Sequence, residues 1–339
     1  MCTDFLIQSG DGAWVNGRSM EFGADLRTKI YVQAPKQPAV LRGLEGEAFE
    51  TTPDHGYVGT SSFDLPVVTD GLNTAGLSTG ALWLPGTEYQ PISLSHRNVF
   101  CAFFVNWMLS HCATTDDVRH ALESGSVHVV GGQWVAKAGP LHFPVHDAKG
   151  NSIVIEFLEG KPVISNNPVG VLTNRPVFPW QLENLRNYVN LTPWDKESVT
   201  LGSQSFAPTG HGTGLDGLPG HATPPARFVR AAYLKQFALQ PKTAAETAAL
   251  AFHLLNSVDI PLGTVRAKTQ PTLTNPEGVE YDYTQWAVVK DLTNRLLNIR
   301  VYGSPLAWSI DLKTLDFTAL SGKQLPIPTG QVALPLPVL

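Results

Sequence analysis

Cysteine is scarce in this chain: Cys2, Cys101 and Cys112 are the only three in 339 residues. So thin a supply argues against a disulfide-stapled scaffold. Cys101 and Cys112 share one apolar stretch. Eleven residues on a straight helix rise about 16 Å, too far to bridge, so both read as buried free thiols. No run of Lys or Arg occurs, and the formal net charge is -5, which argues against a nucleic-acid surface. Long hydrophobic runs are missing too. The longest apolar stretch, Val99 to Leu109, is too short to cross a bilayer. There is no H-E-x-x-H and no paired C-x-x-C, so no metal site is expected. Gly76-Leu77-Ser78-Thr79-Gly80 spells Gly-x-Ser-x-Gly in letters, but it runs into a strand pattern and not into the helix that a serine elbow requires, so a serine hydrolase is not expected. His142 and His146 share a strand face by period, and His211 and His221 lie in a Gly-rich loop. No H-E-x-x-H or paired C-x-x-C spacing supports a metal site at either pair. Charged residues make up only 16% against 43% hydrophobic, the balance of a globular chain.

What is present concentrates in the first 22 residues, MCTDFLIQSGDGAWVNGRSMEF. Removal of Met1 would give Cys2 a thiol and a free α-amine on one residue. An isolated thiol needs a neighbouring base, and an α-amine titrating near 8 can serve as one. CTDFLIQ reads as a strand, Ser9-Gly10-Asp11-Gly12 as a turn and AWVNGRSMEF as the returning strand. That hairpin ties down the chain end and returns Arg18 and Glu21 toward Cys2. A cation beside a thiol favours the thiolate, and a carboxylate can orient an amine. No secretory leader precedes Cys2. A cytoplasmic protein is expected, or a periplasmic one if the Met1 start replaces a removed signal peptide.

Further along, strand patterns over Tyr57–Val68 and Leu77–Leu84 flank a turn at Asn73–Gly76. Asn98–Cys112 reads as a buried helix. Thr115 stands as the cap of a second helix ending before Gly125. HFPVH, SIVIEFL and PVIS are short strands joined by turns at Asp147–Gly150 and Glu159–Lys161. Helices are expected over Trp180–Val189, Ala226–Leu239 and Thr243–Val258. Strands return over Tyr281–Lys290, Leu296–Tyr302 and Ala307–Leu312. A proline-rich tail, about 322–339, with Pro326, Pro328, Pro335 and Pro337, reads as an extended arm of a single domain spanning 1–339. Strands, helices, then strands form an α+β pattern. Gly212-x-Gly214-x-x-Gly217 imitates a dinucleotide fingerprint. It lacks a preceding strand, and Pro224-Pro225 separates it from the next helix.

MCT followed by GRSMEF resembles the choloylglycine hydrolase family, which includes bile salt hydrolases and penicillin V acylases. The resemblance is densest over residues 1–23, 69–86, 171–191 and 210–235. It implies a four-layer αββα sandwich of two antiparallel sheets between helices. Cys2 matches the family nucleophile and Arg18 its arginine. Glu21 stands where Asp is more frequent, one methylene longer, reaching the amine at another angle or Arg227 instead. In VLTNRP, Asn174 matches the oxyanion donor. In GLPG…ARFVR, Arg227 matches a second active-site arginine, expected to brace the acidic residue or the Cys2 amine. GALWLPG departs from the bile salt hydrolase pattern. Trp83 takes the place of an oxyanion-hole asparagine, leaving its indole or backbone N–H to donate.

The reading that follows is an N-terminal cysteine amidohydrolase acting on a small N-acyl amide: a conjugated bile salt, penicillin V or an N-acyl homoserine lactone. It needs no cofactor, nucleic acid or membrane, and the family implies a homotetramer. Met20, Trp83 and the loop before Tyr57–Val68 are expected to line an apolar acyl pocket. The competing reading is a non-catalytic binding protein on the same fold, which predicts loss of the nucleophile or its partners.

Overall fold

The computed structural model describes residues 1–43, 47–131, 139–272, 275–330 and 332–334. Strand β1 (Cys2–Gln8) and strand β2 (Trp14–Phe22) pair antiparallel with Cys2 opposite Met20 and Asp4 opposite Arg18. The turn between them is closed by Ser9 N–H donating to Ala13 O at 2.9 Å, with Gly12 at φ +87°, a conformation that favours glycine. The turn is anchored where Gly10 and Asp11 N–H donate to Pro241 O and Lys242 O. Gly17 lies opposite Phe5, and a Cβ there would meet the Phe5 ring at 2.6 Å. Only glycine lets that ring lie across β2.

β1 and β2 sit inside an antiparallel sheet. Its order is Val171–Leu172, β1, β2, Val279–Asp291, Leu296–Val301, Ser304–Asp311, with Val265–Lys268 beside Val279–Asp291. A second antiparallel sheet runs from Lys161–Asn166 through Ser152–Leu158, Leu141–His146, Ser78–Gly80, Leu65–Asn73, Tyr57–Ser62 and Lys29–Gln33 to Gln324–Pro326. Helices Pro224–Phe237 and Ala244–Asn256 pack on the first sheet, and Phe104–His111 packs on the second. The result is a four-layer αββα sandwich. One core, with Phe5, Val58, Leu72 and Trp286, includes the space between the sheets; the other, with Phe104, Met108 and Phe143, lies under the second. Each such fully buried side chain contributes roughly 1.5–3 kcal/mol.

Several expected boundaries move. Tyr57–Val68 is two strands, Tyr57–Ser62 and Leu65–Asn73, folded at Phe63 and Asp64 with φ of 60° and 61°. Neither turn residue is a glycine, so no turn signal is visible. Asn98–Cys112 begins as a strand (Arg97–Phe100) and becomes α-helical at Phe104. Its strand pairs in parallel with Val127–Val130. Thr114, not Thr115, caps the second helix. Its side chain accepts from Asp117 N–H, while the Thr115 hydroxyl donates to Asp147. The helix expected at Trp180–Val189 starts earlier, at Phe178, and tightens to a 3-10 turn at Leu185–Tyr188. The tail is not wholly a free arm: Gln324–Pro326 is an edge strand on Lys29–Gln33, a position that tolerates proline. Pro335 and Pro337 lie outside the described residues.

Candidate active site

The alternation of β1 sorts the site onto two faces. Cys2 and Asp4 point between the sheets with Asn16, Arg18 and Met20 of β2. Thr3 and Glu21 lie on the opposite, helix-covered face. Cys2, Arg18, Glu21, Asn174 and Arg227 are all buried, and the fold brings them together from three separate stretches of chain.

On the inter-sheet face, Arg18 Nη2 lies 3.6 Å from Cys2 Sγ, and Met20 Sδ lies 3.7 Å from the same sulfur. Arg18 is aimed by two carbonyls of the second sheet, Thr69 O and Ala81 O, each 2.6 Å away. The Arg18 side chain also passes 5.0 Å from the Trp286 ring. Burial works against its charge, but Cys2 and Asp70 outweigh that and hold the guanidinium above its ordinary value. Asp70 meets Arg18 Nη1 at 3.3 Å and Lys290 Nζ through its other oxygen. Asp4 accepts from Asn16 and pairs with His146 Nε2 at 2.6 Å. Burial raises the Asp4 carboxyl, yet His146 and Lys290 prevail and hold it low.

On the helix-covered face, the backbone N–H of Cys2 donates to Asn174 Oδ1 at 2.8 Å. Arg227 Nη2 donates to the same oxygen at 2.8 Å. Two donors converging on one atom fix which end of the amide is oxygen. Asn174 Nδ2 donates to Trp83 O at 2.8 Å. Trp83 therefore offers the site a carbonyl, and its ring meets Phe22 edge-on at 6.3 Å. Arg227, near the start of helix Pro224–Phe237, also donates to Cys2 O, Thr3 Oγ1 and Ala222 O. It braces Asn174 and the β1 backbone. Burial pushes its guanidinium down, opposed by Glu21 and Cys2.

Glu21 is positioned differently from expectation. Its Oε1 accepts from the Thr284 hydroxyl at 2.9 Å, while Oε2 accepts no hydrogen bond among the described residues. The Thr284 oxygen in turn accepts from Ile260 N–H at 2.9 Å, so its one proton is committed to Glu21. Burial raises the Glu21 carboxyl, only partly offset by Arg227 and the terminal ammonium. Met1 is bonded to the Glu21 backbone at both ends: its amine donates to Glu21 O and its carbonyl accepts from Glu21 N–H.

A cavity of about 110 Å³ opens beside Cys2. Its walls include Met20, Phe22, Leu26, Phe63, Leu65 and Trp83, and no charged side chain among the described residues lines it. The loop before Tyr57 is not part of this lining. The tip of the hairpin at Phe63 takes its place, because the chain reverses there.

Sequence reasoning missed five supporting residues. Asp70 and Thr284 gave no signal. Lys290 had one, a lone cation directly after the apolar run Trp286–Val289 and on the face of Trp286 and Val288. His142 and Glu156 hold the Asn174 segment. His142 Nε2 meets Thr173 O at 3.0 Å, its Nδ1 meets Glu156 Oε1 at 3.3 Å, and that oxygen accepts from Phe178 N–H at 2.9 Å. Among the described residues no group of three His, Cys, Asp or Glu is disposed to hold a metal, and no helix is long and apolar enough to cross a membrane.

Two facing antiparallel sheets between helices, with a buried thiol at the start of a central strand, define the class: an N-terminal nucleophile hydrolase fold. Residues 2–322 match the family model for linear amide C–N hydrolases, choloylglycine hydrolase family, and the chain belongs to that family. It is a hydrolase of linear carbon–nitrogen amide bonds. The chain is 30% identical over 78% of its length to a bile salt hydrolase/transferase of Clostridium perfringens, covering 81% of that protein. A penicillin V acylase of Pectobacterium atrosepticum is 26% identical over 93% of this chain and 81% of its own. Crystal structures of conjugated bile acid hydrolase from Clostridium perfringens superpose with a TM-score of 0.84 at 26% identity, covering 98% of this chain and 99% of theirs.

Proposed function

We propose that this hydrolase uses Cys2, freed of Met1, as its nucleophile and cleaves amides of small apolar acyl groups. The carrying observation is that one backbone nitrogen, Cys2 N, is aimed by Asn174 Oδ1 at 2.8 Å while Arg18 faces the sulfur of the same residue. With Met1 gone that nitrogen is an α-amine and takes the thiol proton. The thiolate attacks the amide carbonyl, and a C–S bond forms as the carbonyl electrons move to oxygen. The second Asn174 Nδ2–H, not used on Trp83 O, supplies a donor for that oxyanion, an interaction worth roughly 3 kcal/mol. Collapse breaks the C–N bond, and the Cys2 ammonium gives its proton to the departing amine. Water, deprotonated by the same amine, then hydrolyses the thioester.

The cavity of about 110 Å³, lined in part by Met1, is smaller than one of about 150 Å³ that accepts benzene, so it must open on loss of Met1 to take any of these acyl groups. A phenoxyacetyl group or a short alkyl chain asks less of that opening than a four-ring sterol. The test is a turnover panel of penicillin V, N-acyl homoserine lactones and glycocholate, on protein whose N-terminus has been checked by mass spectrometry. We expect kcat/KM for penicillin V or a short-chain lactone to exceed that for glycocholate by about tenfold, one methylene in such a pocket being worth ~1–3 kcal/mol. The reverse order sinks the size argument. Full activity in Cys2→Ser sinks the nucleophile, and binding without turnover of any substrate favours the non-catalytic alternative. Val189, Trp194, Leu201 and Phe206 stand exposed and are the apolar surface a tetramer would cover, which light scattering measures.

A further inference from the structure

Three charges stand in line behind the Cys2 sulfur, each fully buried: Arg18, Asp70 and Lys290. They come from β2, from Leu65–Asn73 of the second sheet and from Val279–Asp291 of the first. The register places Lys290 opposite Asn16 and Val288 opposite Arg18, so the ammonium and the guanidinium issue from neighbouring strands on one face. Asp70 joins them.

The two contacts of Asp70 differ in kind. Its Oδ1 accepts a hydrogen bond from Lys290 Nζ. Its Oδ2 accepts none and meets Arg18 Nη1 only as a charge at 3.3 Å. The hydrogen bonds that aim Arg18 go to the carbonyls of Thr69 and Ala81. Asp70 therefore does little to orient Arg18 but acts strongly on the field it projects. In a low-dielectric interior a carboxylate in contact with a guanidinium cancels much of its charge as seen from a nearby sulfur. A second cation on the same carboxylate reverses that cancellation. The trio carries a net charge of +1; without Lys290 it carries zero.

We propose that Lys290 is a charge-setting residue for the nucleophile: it takes up the charge of Asp70, so that Arg18 faces the Cys2 sulfur with its positive charge uncancelled. This rests on the reading of Cys2 as nucleophile. The other ionisable groups around Cys2 are its own α-amine, Asp4 paired with His146 on the inter-sheet face, and Glu21 and Arg227 on the other face. None of them is substituted in the test; Lys290 also faces Asp4 and helps hold its carboxyl low.

The test reads alkylation of Cys2 by iodoacetamide against pH, from the mass of the N-terminal peptide, on the Met1-free chain. Cys101 and Cys112 are buried and do not enter that peptide. Lys290→Met should move the alkylation midpoint up by about one pH unit and slow alkylation below the midpoint about tenfold. Asp70→Asn should move it down by a similar amount. The double variant Lys290→Met/Asp70→Asn, again with a net charge of +1, should return it close to the parent, and Lys290→Arg should leave it in place. Loosened packing cannot produce shifts of opposite sign that cancel in the double variant. If Lys290→Met fails to fold, Asp70→Asn and the double variant, whose one remaining charge is the Arg18 guanidinium still bonded to Thr69 O and Ala81 O, decide the matter. A midpoint that ignores both sites, or moves the same way in both, overturns the proposal. An active Cys2→Ser would instead overturn the nucleophile and leave these alkylation shifts untouched.

Discussion

At the scale of a residue, Glu21 shows how a buried acid can work against the fold that holds it. Its carboxyl is raised by burial, so the neutral form is the one the folded state prefers. Stability from that preference is full below the unfolded value near 4.3 and is lost as pH rises through the higher folded value. At neutral pH, holding Glu21 ionised therefore costs stability. Glu21→Gln in the Met1-bearing chain should raise stability at pH 7 by about 0.5–2 kcal/mol and show no gain near pH 4, as urea unfolding at the two pH values will measure. In the Met1-free enzyme the same change should lower the pH at which kcat/KM begins to rise, because the amine loses a negative neighbour. An unchanged pH–rate limb would detach Glu21 from the amine. Thr284→Val removes the donor that fixes Oε1 and leaves Ile260 N–H unpaired. It should cost about 1–3 kcal/mol and lower kcat more than it raises KM.

At the scale of an element, the segment 173–178 carries Asn174 between two ties. His142 meets the carbonyl at one end, Glu156 accepts the N–H at the other, and Gln181 Nε2 donates to Asn174 O and Pro176 O between them. Because Thr173 O can only accept, His142 Nε2 carries a proton. His142→Phe would leave that carbonyl buried and unpaired at a cost of about 1–3 kcal/mol. The larger effect should fall on kcat, by about tenfold, with KM within about twofold, since a misplaced donor harms the transition state more than substrate binding. A change confined to KM would show that the segment positions substrate instead.

The same elements show what could be read from residues alone. The β1–β2 hairpin was legible because its turn is glycine-marked and its partner positions follow by counting. Cys2 and Arg18 fall on one face by that counting, whereas Glu21 is on the other. Asn174 and Arg227 were legible only through resemblance, since nothing local distinguishes a Thr-Asn before a proline or an arginine three residues into a helix. Asp70, Thr284 and His142 were not legible, because these partners lie 31 to 263 residues away on the other side of a sheet or under a loop. The Phe63–Asp64 reversal was hidden because two non-glycine residues adopt positive φ there. Its tip then supplies a wall of the acyl cavity.

At the scale of the whole molecule, the sheet that holds the first strand is completed by the last part of the chain. Among the described residues β1 pairs only with β2 and the two residues Val171–Leu172, and the sheet is carried onward by Val279–Asp291. Met1 ends up with its amine and carbonyl both bonded to the Glu21 backbone, ahead of a Cys2 that is 3% exposed. An aminopeptidase needs the terminus loose and extended, which this arrangement denies. Synthesis at about 5–20 residues per second leaves roughly 15–60 s before residue 290 exists to close the sheet. If Cys2 is the nucleophile proposed above, methionine removal becomes a race against the protein's own completion. Purified chain that has kept Met1 should resist methionine aminopeptidase when folded and yield to it when unfolded in urea tolerated by the peptidase. Equal trimming in both states would show that the end breathes. If the race is real, cells that overproduce this protein faster than they trim it accumulate a dead fraction that is folded, stable and beyond repair: a loss set by the clock of translation.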